Sequence, residues 1–137
     1  MNTFETTFRV MYADTDQMGV MHHGSYVKYL EVARTELMRA CGMAYADMEK
    51  SGVMSPILDM HIKYIKPALY DEVLTVKTWI SKIKGSRVVF DYEIYNGEKL
   101  LTKAYTTLVF LDAKTRRPSD IKDEFIEQIK HYIHDEN

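Results

Sequence analysis

The chain has 137 residues with a formal net charge of −2, and 46% of them are hydrophobic and 28% charged. We expect one globular domain spanning residues 1–137, because this length supports a single core of moderate size. The near-neutral balance provides no general attraction to nucleic acid or to an anionic membrane. Any anionic ligand must therefore be bound by a local cluster of lysines and arginines.

Three features of the sequence indicate a cytoplasmic protein. Cys41 is the single cysteine, which excludes an internal disulfide and favours a reducing compartment. The first ten residues, MNTFETTFRV, lack the basic region and the apolar run of a signal peptide. No apolar window approaches the length of a membrane span.

The first third of the chain predicts a strand and a long helix. Apolar residues alternate over residues 4–12, FETTFRVMY, which is typical of a strand. Apolar residues then recur at spacings of three and four, which predicts a helix over about residues 25–41. We expect Ser25 or Gly24 near its N-cap and Gly42 at its C′ position.

Alternation with a period of two dominates the rest of the chain. A short helical turn is expected over residues 44–52 and a final helix over about residues 121–133. Tight turns are predicted at residues 84–86 and at Asn96-Gly97, since glycine and asparagine tolerate positive φ. The predicted strands cover about residues 57–65, 72–80, 87–95 and 99–111.

This order of elements predicts an α+β fold in which an antiparallel sheet curls around the long helix. Val27, Val32 and Cys41 widen the apolar surface of that helix, which indicates that it is covered on more than one side. We therefore expect the other face or an edge of the sheet to need a second subunit.

The stretch from Tyr12 to Arg34 combines a D-x-D-x-x-G-x-x-x-H-x-x-Y pattern with Y-x-E-x-A-R. This run resembles the 4-hydroxybenzoyl-CoA thioesterase family of hotdog-fold acyl-CoA thioesterases. It is most similar to the bacterial members often encoded beside the Tol–Pal envelope system. The resemblance covers roughly residues 3–112.

The resemblance implies a hotdog fold, with a curved five-stranded antiparallel sheet around a long central helix, plus a C-terminal helix here. It also implies dimers with joined sheets, often tetramers, whose active sites lie at the subunit interface. The expected substrate is a short- or medium-chain or aromatic acyl-CoA. No metal or bound cofactor is expected, because coenzyme A is part of the substrate.

Asp16 matches the catalytic carboxylate of the family. It can act as a general base toward water or as a direct nucleophile. The alternative is a structural aspartate that accepts hydrogen bonds from loop amides. Asp14 lies two residues away in extended chain and points to the other side, so a structural role is expected for it.

The start of the long helix supplies the predicted oxyanion site. Helix geometry leaves the first amides free, so the backbone N–H of His23 is the expected donor, with Gly24 beside it. By resemblance, Gly19 belongs to the loop that shapes the site. The imidazole of His23 either orients water or substrate or packs near an interface, and His22 is expected to be structural.

Glu31 matches an acidic helix position of the family. It either supports catalysis or forms an ion pair with Lys28 or Arg34 on the helix surface.

Coenzyme A carries phosphates, so cations should lie along one rim of the site. The best group is Lys84, Ser86 and Arg87, because the analogous hairpin in related enzymes lies near the nucleotide. Other candidate cations are Lys63, Lys66, Arg116 and Arg117. The candidate residues of an acyl tunnel are Met60, Tyr64 and Phe90, for each of which core filling is the alternative.

Other chemistries fit the sequence less well. His22-His23 and the HYIH run at residues 131–134 lack a third ligand for a metal. A hotdog hydratase would need an H-x-x-x-P-x-x-P-G helix entry, which does not follow either histidine of the pair. Serine-hydrolase and Walker-type nucleotide motifs are absent. A non-catalytic acyl-ligand binder or scaffold of the same fold remains the alternative.

Overall fold

Five strands form one antiparallel sheet in the order β1-β4-β5-β6-β3 in the computed structural model, which describes residues 2–43 and 45–134. The strands are β1 (Phe4–Arg9), β3 (Ile57–Tyr64), β4 (Val73–Lys84), β5 (Arg87–Asn96) and β6 (Lys99–Val109). A separate two-stranded ribbon pairs β2 (Val53–Met54) with β7 (Leu111–Asp112). The helices are α1 (His23–Ala40), α2 (Tyr45–Lys50) and α3 (Asp123–Ile129), and a 3-10 turn (Lys130–Tyr132) follows α3. The expected sheet, long helix and C-terminal helix are confirmed.

The core lies between α1 and one face of the sheet. Leu30, Ala33 and Leu37 recur at helical spacing and are fully buried, as the stripe of the sequence predicts. The strands contribute every second residue, as β4 shows with Leu74, Val76 and Ile80. Between them, Phe8 of β1 and Tyr29 of α1 stack with ring centroids 3.7 Å apart.

Helix α1 starts two residues before the predicted boundary. Its N-cap is His22 in extended conformation, so the expectation of Gly24 or Ser25 as the cap is corrected, because both lie inside the first turn. At the other end Gly42 has φ +84° and its N–H donates to the carbonyl of Arg39 at 3.0 Å, which confirms the C′ glycine. No helix in the described ranges is long and apolar enough to cross a membrane.

The structure changes the predicted elements in several places, and the final helix, predicted over residues 121–133, covers Asp123–Ile129. The strand expected over residues 4–12 ends at Arg9, and Tyr12 enters a 3-10 turn where it is 80% exposed. Asn96 pairs with Lys99, so the two-residue loop is Gly97-Glu98, one residue later than predicted. The β2–β7 ribbon was not predicted, because two-residue strands carry no periodic signal.

Strand β3 is one of the two edges of the sheet, opposite β1, and it pairs only with β6 in the described chain. Its outer residues Leu58 and Tyr64 are 48% and 42% exposed. Val27 and Val32 of α1 are also exposed, at 43% and 47%. The prediction that α1 is covered on more than one side is therefore wrong for a single chain, which leaves apolar side chains of both β3 and α1 exposed.

Candidate active site

The loop that carries Asp16 is a small hairpin between β1 and α1. Thr15 bridges Met21 in antiparallel fashion, and the N–H of Asp16 donates to the carbonyl of Val20 at 2.9 Å. Gly19 turns the chain with φ +75°, a conformation that costs other residues about 1–2 kcal/mol. The returning arm bonds to the 68–70 segment, where Met21 N–H donates to the carbonyl of Ala68 at 2.8 Å. The loop is therefore held on both sides.

The side chain of Asp16 is exposed and only partly occupied by this loop. Its Oδ1 accepts hydrogen bonds from the N–H groups of Met18 at 2.8 Å and Val20 at 3.2 Å. The structural alternative is thus realised for one carboxylate oxygen. Its Oδ2 accepts no hydrogen bond from the described residues, so this oxygen is free to bind or deprotonate a water while the turn fixes its direction.

Asp14 has the structural role that the sequence indicates. Its side chain is 2% exposed and accepts hydrogen bonds from Tyr29 Oη, from Lys28 Nζ at 2.9 Å and from the N–H of Met11 at 3.0 Å. Burial alone would raise the pKa of Asp14, but these donors outweigh it and lower the pKa to about 2. Its backbone carbonyl also accepts the N–H of His22 at 2.9 Å. Asp14 therefore ties the loop to the start of α1.

The start of α1 presents the amides of His23 and Gly24 next to this loop. As the first residues of the helix they have no carbonyl four residues earlier to accept their N–H groups. A methyl group added at Gly24 would meet the His22 ring only at 3.6 Å, an ordinary contact, so steric demand does not explain that glycine. These two amides and the helix dipole favour an oxyanion at this point.

The two histidines take different places. The ring of His23 stacks on the ring of Tyr64 of β3, with centroids 4.4 Å apart. Tyr26 meets the Tyr64 ring edge-on, with centroids 5.0 Å apart. A cavity of about 240 Å³, which we call the helix-start cavity, lies at this cluster; it is lined by Val20, Met21, His23, Tyr26, Tyr64, Ile65, Lys66 and Pro67. Tyr64 lines this cavity, and its predicted place in an acyl tunnel stays a prediction. Nε2 of His22 lies 3.2 Å from Ser25 Oγ, outside the cavity.

Glu31 is not brought to Asp16. It is exposed, eight residues and about 12 Å along α1 from His23, where it lines a second cavity of about 450 Å³ beside the buried Arg34. Lys28, one of its expected ion-pair partners, binds Asp14 instead. Arg34 donates to Tyr92 Oη at 3.2 Å, and that hydroxyl lies 2.6 Å from Thr106 Oγ1.

Of the predicted phosphate ligands, the structure brings only Lys66 to the helix-start cavity. Lys84 and Arg87 pair across the β4–β5 turn, whereas β4 begins at Val73 near the Asp16 loop. The length of β4 places the turn roughly 35 Å from that loop. Within one chain, Lys84, Ser86 and Arg87 therefore cannot reach a ligand held at Asp16. Arg116 and Arg117 follow β7, outside the helix-start cavity.

The two remaining candidates for an acyl tunnel, Met60 and Phe90, lie in different surroundings. Phe90 is 2% exposed and fills the core, which was the alternative to lining a tunnel. Met60 is half-buried on the edge strand β3.

No group of three or more His, Cys, Asp or Glu in residues 2–43 and 45–134 is placed to hold a metal. The cluster of Lys28, Asp14 and Tyr29 was not predicted from the sequence. Asp14, the first aspartate of the D-x-D pattern, was the residue of this cluster for which a structural role was expected.

Comparison with known proteins agrees with this geometry. The model of the thioesterase-like superfamily matches residues 10–129. YneP of Bacillus subtilis, to which acyl-CoA thioesterase activity is ascribed, is 39% identical over 126 residues, 91% of each chain. The acyl-CoA thioester hydrolase YbgC of Escherichia coli is 33% identical over 133 residues, which cover 95% of this chain and 99% of YbgC.

A solved structure shows the same architecture. The DHNA-CoA thioesterase from Staphylococcus aureus superposes with a TM-score of 0.87 at 36% identity, covering 96% of this chain and 91% of that one. Sequence similarity and fold thus confirm the family resemblance found in the motif. The chain belongs to the thioesterase-like superfamily, and it is a thioester hydrolase of the hotdog fold.

Proposed function

We propose that this protein hydrolyses a short- or medium-chain or aromatic acyl-CoA to the free acid and coenzyme A, with Asp16 as the reacting carboxylate. The observation that carries the proposal is the joint placement of Asp16 and the start of α1. One hydrogen-bonded hairpin carries Asp16, whose Oδ2 accepts no hydrogen bond from the described residues, and leads directly into α1, where the His23 and Gly24 amides have no helical acceptor.

Two routes use this arrangement. As general base, Asp16 takes a proton from water while the water oxygen bonds to the thioester carbon, and the carbonyl oxygen becomes the oxyanion held by the His23 amide. As nucleophile, the carboxylate itself attacks and forms a mixed anhydride that water then hydrolyses. In both routes the C–S bond breaks and the thiolate leaves.

The leaving group explains why so few side chains suffice. A thiol of this kind has a pKa of roughly 8.5, so the thiolate departs without a strong general acid. The site therefore needs an attacking oxygen and an oxyanion site, and it contains candidates for both. The glycine at position 19 and the buried Asp14 keep these two groups in register.

We further propose that the working enzyme is a homo-oligomer built on a dimer. The unpaired edge of β3 carries exposed Ile57, Leu58 and Tyr64, the surface that an added strand would cover. An antiparallel pairing of two β3 strands places the Tyr64 end of one copy beside the Ile57 end of the other. Because Arg87 pairs with Val109 near that Ile57 end, the partner's 84–87 turn approaches this copy's helix start.

In such a dimer the predicted phosphate ligands come from the second copy. In one chain, Lys84, Ser86 and Arg87 are too far from Asp16, but the same residues of a second copy come to the correct end of the site. Lys66, which already lines the helix-start cavity, supplies a cation from this copy. The coenzyme A phosphates are thus expected to lie along the interface.

Release of thiol from a panel of acyl-CoAs tests the proposal, comparing the wild type with Asp16→Asn and Asp112→Asn. Asp112 is a matched control, since its Oδ1 accepts the N–H groups of Lys114 at 2.8 Å and Thr115 at 3.0 Å in a similar turn. We expect Asp16→Asn to lower kcat at least about 100-fold, roughly 2.7 kcal/mol of barrier, and Asp112→Asn to change it less than about threefold.

The results separate the alternatives. Single turnover in ¹⁸O-labelled water puts label into the Asp16 carboxylate if that carboxylate is the nucleophile and water opens the anhydride at the aspartyl carbon, so a labelled Asp16 excludes the general-base route. Equal rates for Asp16→Asn and the wild type would refute the assignment of Asp16 and direct attention to Glu31. A wild type that binds acyl-CoA but hydrolyses none would favour the non-catalytic binder.

A further inference from the structure

Two cavities share part of their lining beside α2 and β2. The first is the 450 Å³ cavity beside Glu31 and Arg34, which we call the Arg34 cavity. The second, of about 300 Å³, lies under α3 and is called the α3 cavity. Met48 and Val53 line both of them. Among the residues whose side chains the structure describes, no other lines both spaces, so these two side chains form the partition.

The α3 cavity is suited to a hydrocarbon chain. Its apolar lining includes Met43, Phe110 and Phe125, and the two phenyl rings meet edge-on with centroids 4.9 Å apart. Charged groups such as Asp47 and Lys122 stand at its exposed rim. An apolar cavity of about 150 Å³ holds benzene, so this volume has room for on the order of ten carbon atoms.

Met48 can be removed from the partition without dismantling the sheet. It is 7% exposed and sits on the six-residue helix α2, while Val53 belongs to the short β2–β7 ribbon. Neither residue belongs to the five-stranded sheet. Methionine is unbranched and fills irregular gaps, so the position of this wall depends on one flexible side chain.

The route of the acyl group connects this wall to the chemistry, and this step rests on the proposed function. The helix-start cavity lies at the Tyr64 end of β3 and the Arg34 cavity at its Ile57 end. In the antiparallel dimer, an acyl group whose carbonyl is bound at His23 of one copy therefore extends into the Arg34 cavity of the other. Met48 and Val53 are among the apolar residues that line that cavity.

We propose that Met48, with Val53, sets the length of acyl chain that the enzyme accepts, and that the α3 cavity is the space a longer chain would enter if this wall were opened. In the wild type the chain stops at the thioether. Removing the side chain joins the two cavities and lets further methylenes leave water, each worth about fourfold in binding.

The test is kcat/KM for octanoyl-, dodecanoyl- and hexadecanoyl-CoA in the wild type and in Met48→Ala. We expect the ratio of dodecanoyl to octanoyl activity to rise at least tenfold in Met48→Ala, and in the same direction in Val53→Ala, which removes less volume. Met38→Ala is the matched control, because Met38 is 2% exposed and lines neither cavity. Its ratio should change less than twofold.

A second substitution tests the α3 cavity itself. Ser119 lines only that cavity and is exposed, so Ser119→Phe in the Met48→Ala background should fill it and return the ratio to the wild-type value. An unchanged ratio in folded Met48→Ala and Val53→Ala, or an equal rise in Met38→Ala, would overturn the inference alone. A wild type inactive on all three substrates would instead refute the proposed function, and the inference with it.

Discussion

Replacement of Tyr29 by Phe isolates the hydrogen bond that holds the loop of the site to the helix. The change deletes only Oη, the donor to the buried carboxylate of Asp14, and keeps the ring that stacks on Phe8. Loss of a hydrogen bond to a charged group in such a place costs about 1.5–3 kcal/mol. We expect Tyr29→Phe to lower the free energy of unfolding by this amount at pH 7.

The pH dependence gives a sharper expectation than the size of the loss. The pKa of Asp14 falls from 3.8 to about 2 on folding, which corresponds to about 2.4 kcal/mol of stabilisation at neutral pH. A lowered carboxyl pKa stabilises the fold above pH 4 and loses this effect as the pH falls toward 2, so about half is gone at pH 3. Tyr29 is a large contributor, since Lys28 is 55% exposed and screened by solvent.

Urea denaturation at pH 7 and pH 3 measures both quantities. We expect the difference in unfolding free energy between wild type and Tyr29→Phe to be up to 1 kcal/mol or so smaller at pH 3. Tyr95→Phe is the control, because Tyr95 Oη donates to Glu93 at 3.0 Å outside the core, and its effect should stay below about 0.5 kcal/mol. A Tyr29→Phe effect that is the same at both pH values would refute the role assigned to Asp14.

Three further predictions concern the loop, the helix start and the sheet edge. Gly19→Ala meets no atom within 4 Å, so only its φ of +75° should destabilise it, by about 1–2 kcal/mol in thermal or urea unfolding. His23→Ala keeps the backbone amide and should lower kcat less than about tenfold; a loss as large as that of Asp16→Asn would make the imidazole essential. Leu58→Lys places a charge on the open edge of β3 and should shift the species seen by analytical ultracentrifugation toward monomer, whereas an unchanged mass would place the interface elsewhere.

The secondary structure was largely readable from the sequence because its periodic signals were strong. The stripe of Leu30, Ala33 and Leu37 requires an apolar partner, and the alternation of β4 and β5 supplies one. The motif around Asp16 predicted, by its resemblance to a known family, a reacting carboxylate shortly before the helix, and the structure places Asp16 in the loop that leads into α1. The start of α1 was predicted less accurately, because its N-cap residue His22 makes no side-chain capping hydrogen bond.

The arrangement of the site depended on contacts between distant parts of the chain. Nothing in the spacing of Asp14 indicates that Tyr29 and Lys28 meet its carboxylate, or that His23 stacks on Tyr64. The order of the strands decides these contacts. It places β3 at the edge beside the helix start and moves the 84–87 turn to the other end of the sheet.

By itself, the sequence determined that an antiparallel sheet covers a long helix, and that Asp16 lies shortly before that helix. Only the tertiary structure decided which oxygen of Asp16 accepts no hydrogen bond from the described residues, that β3 is an edge strand, and which two cavities share Met48. The reason is physical. Local periodicity sets the direction in which each side chain points, whereas partners far apart in sequence are set by how the strands assemble and how α2 and α3 pack over them.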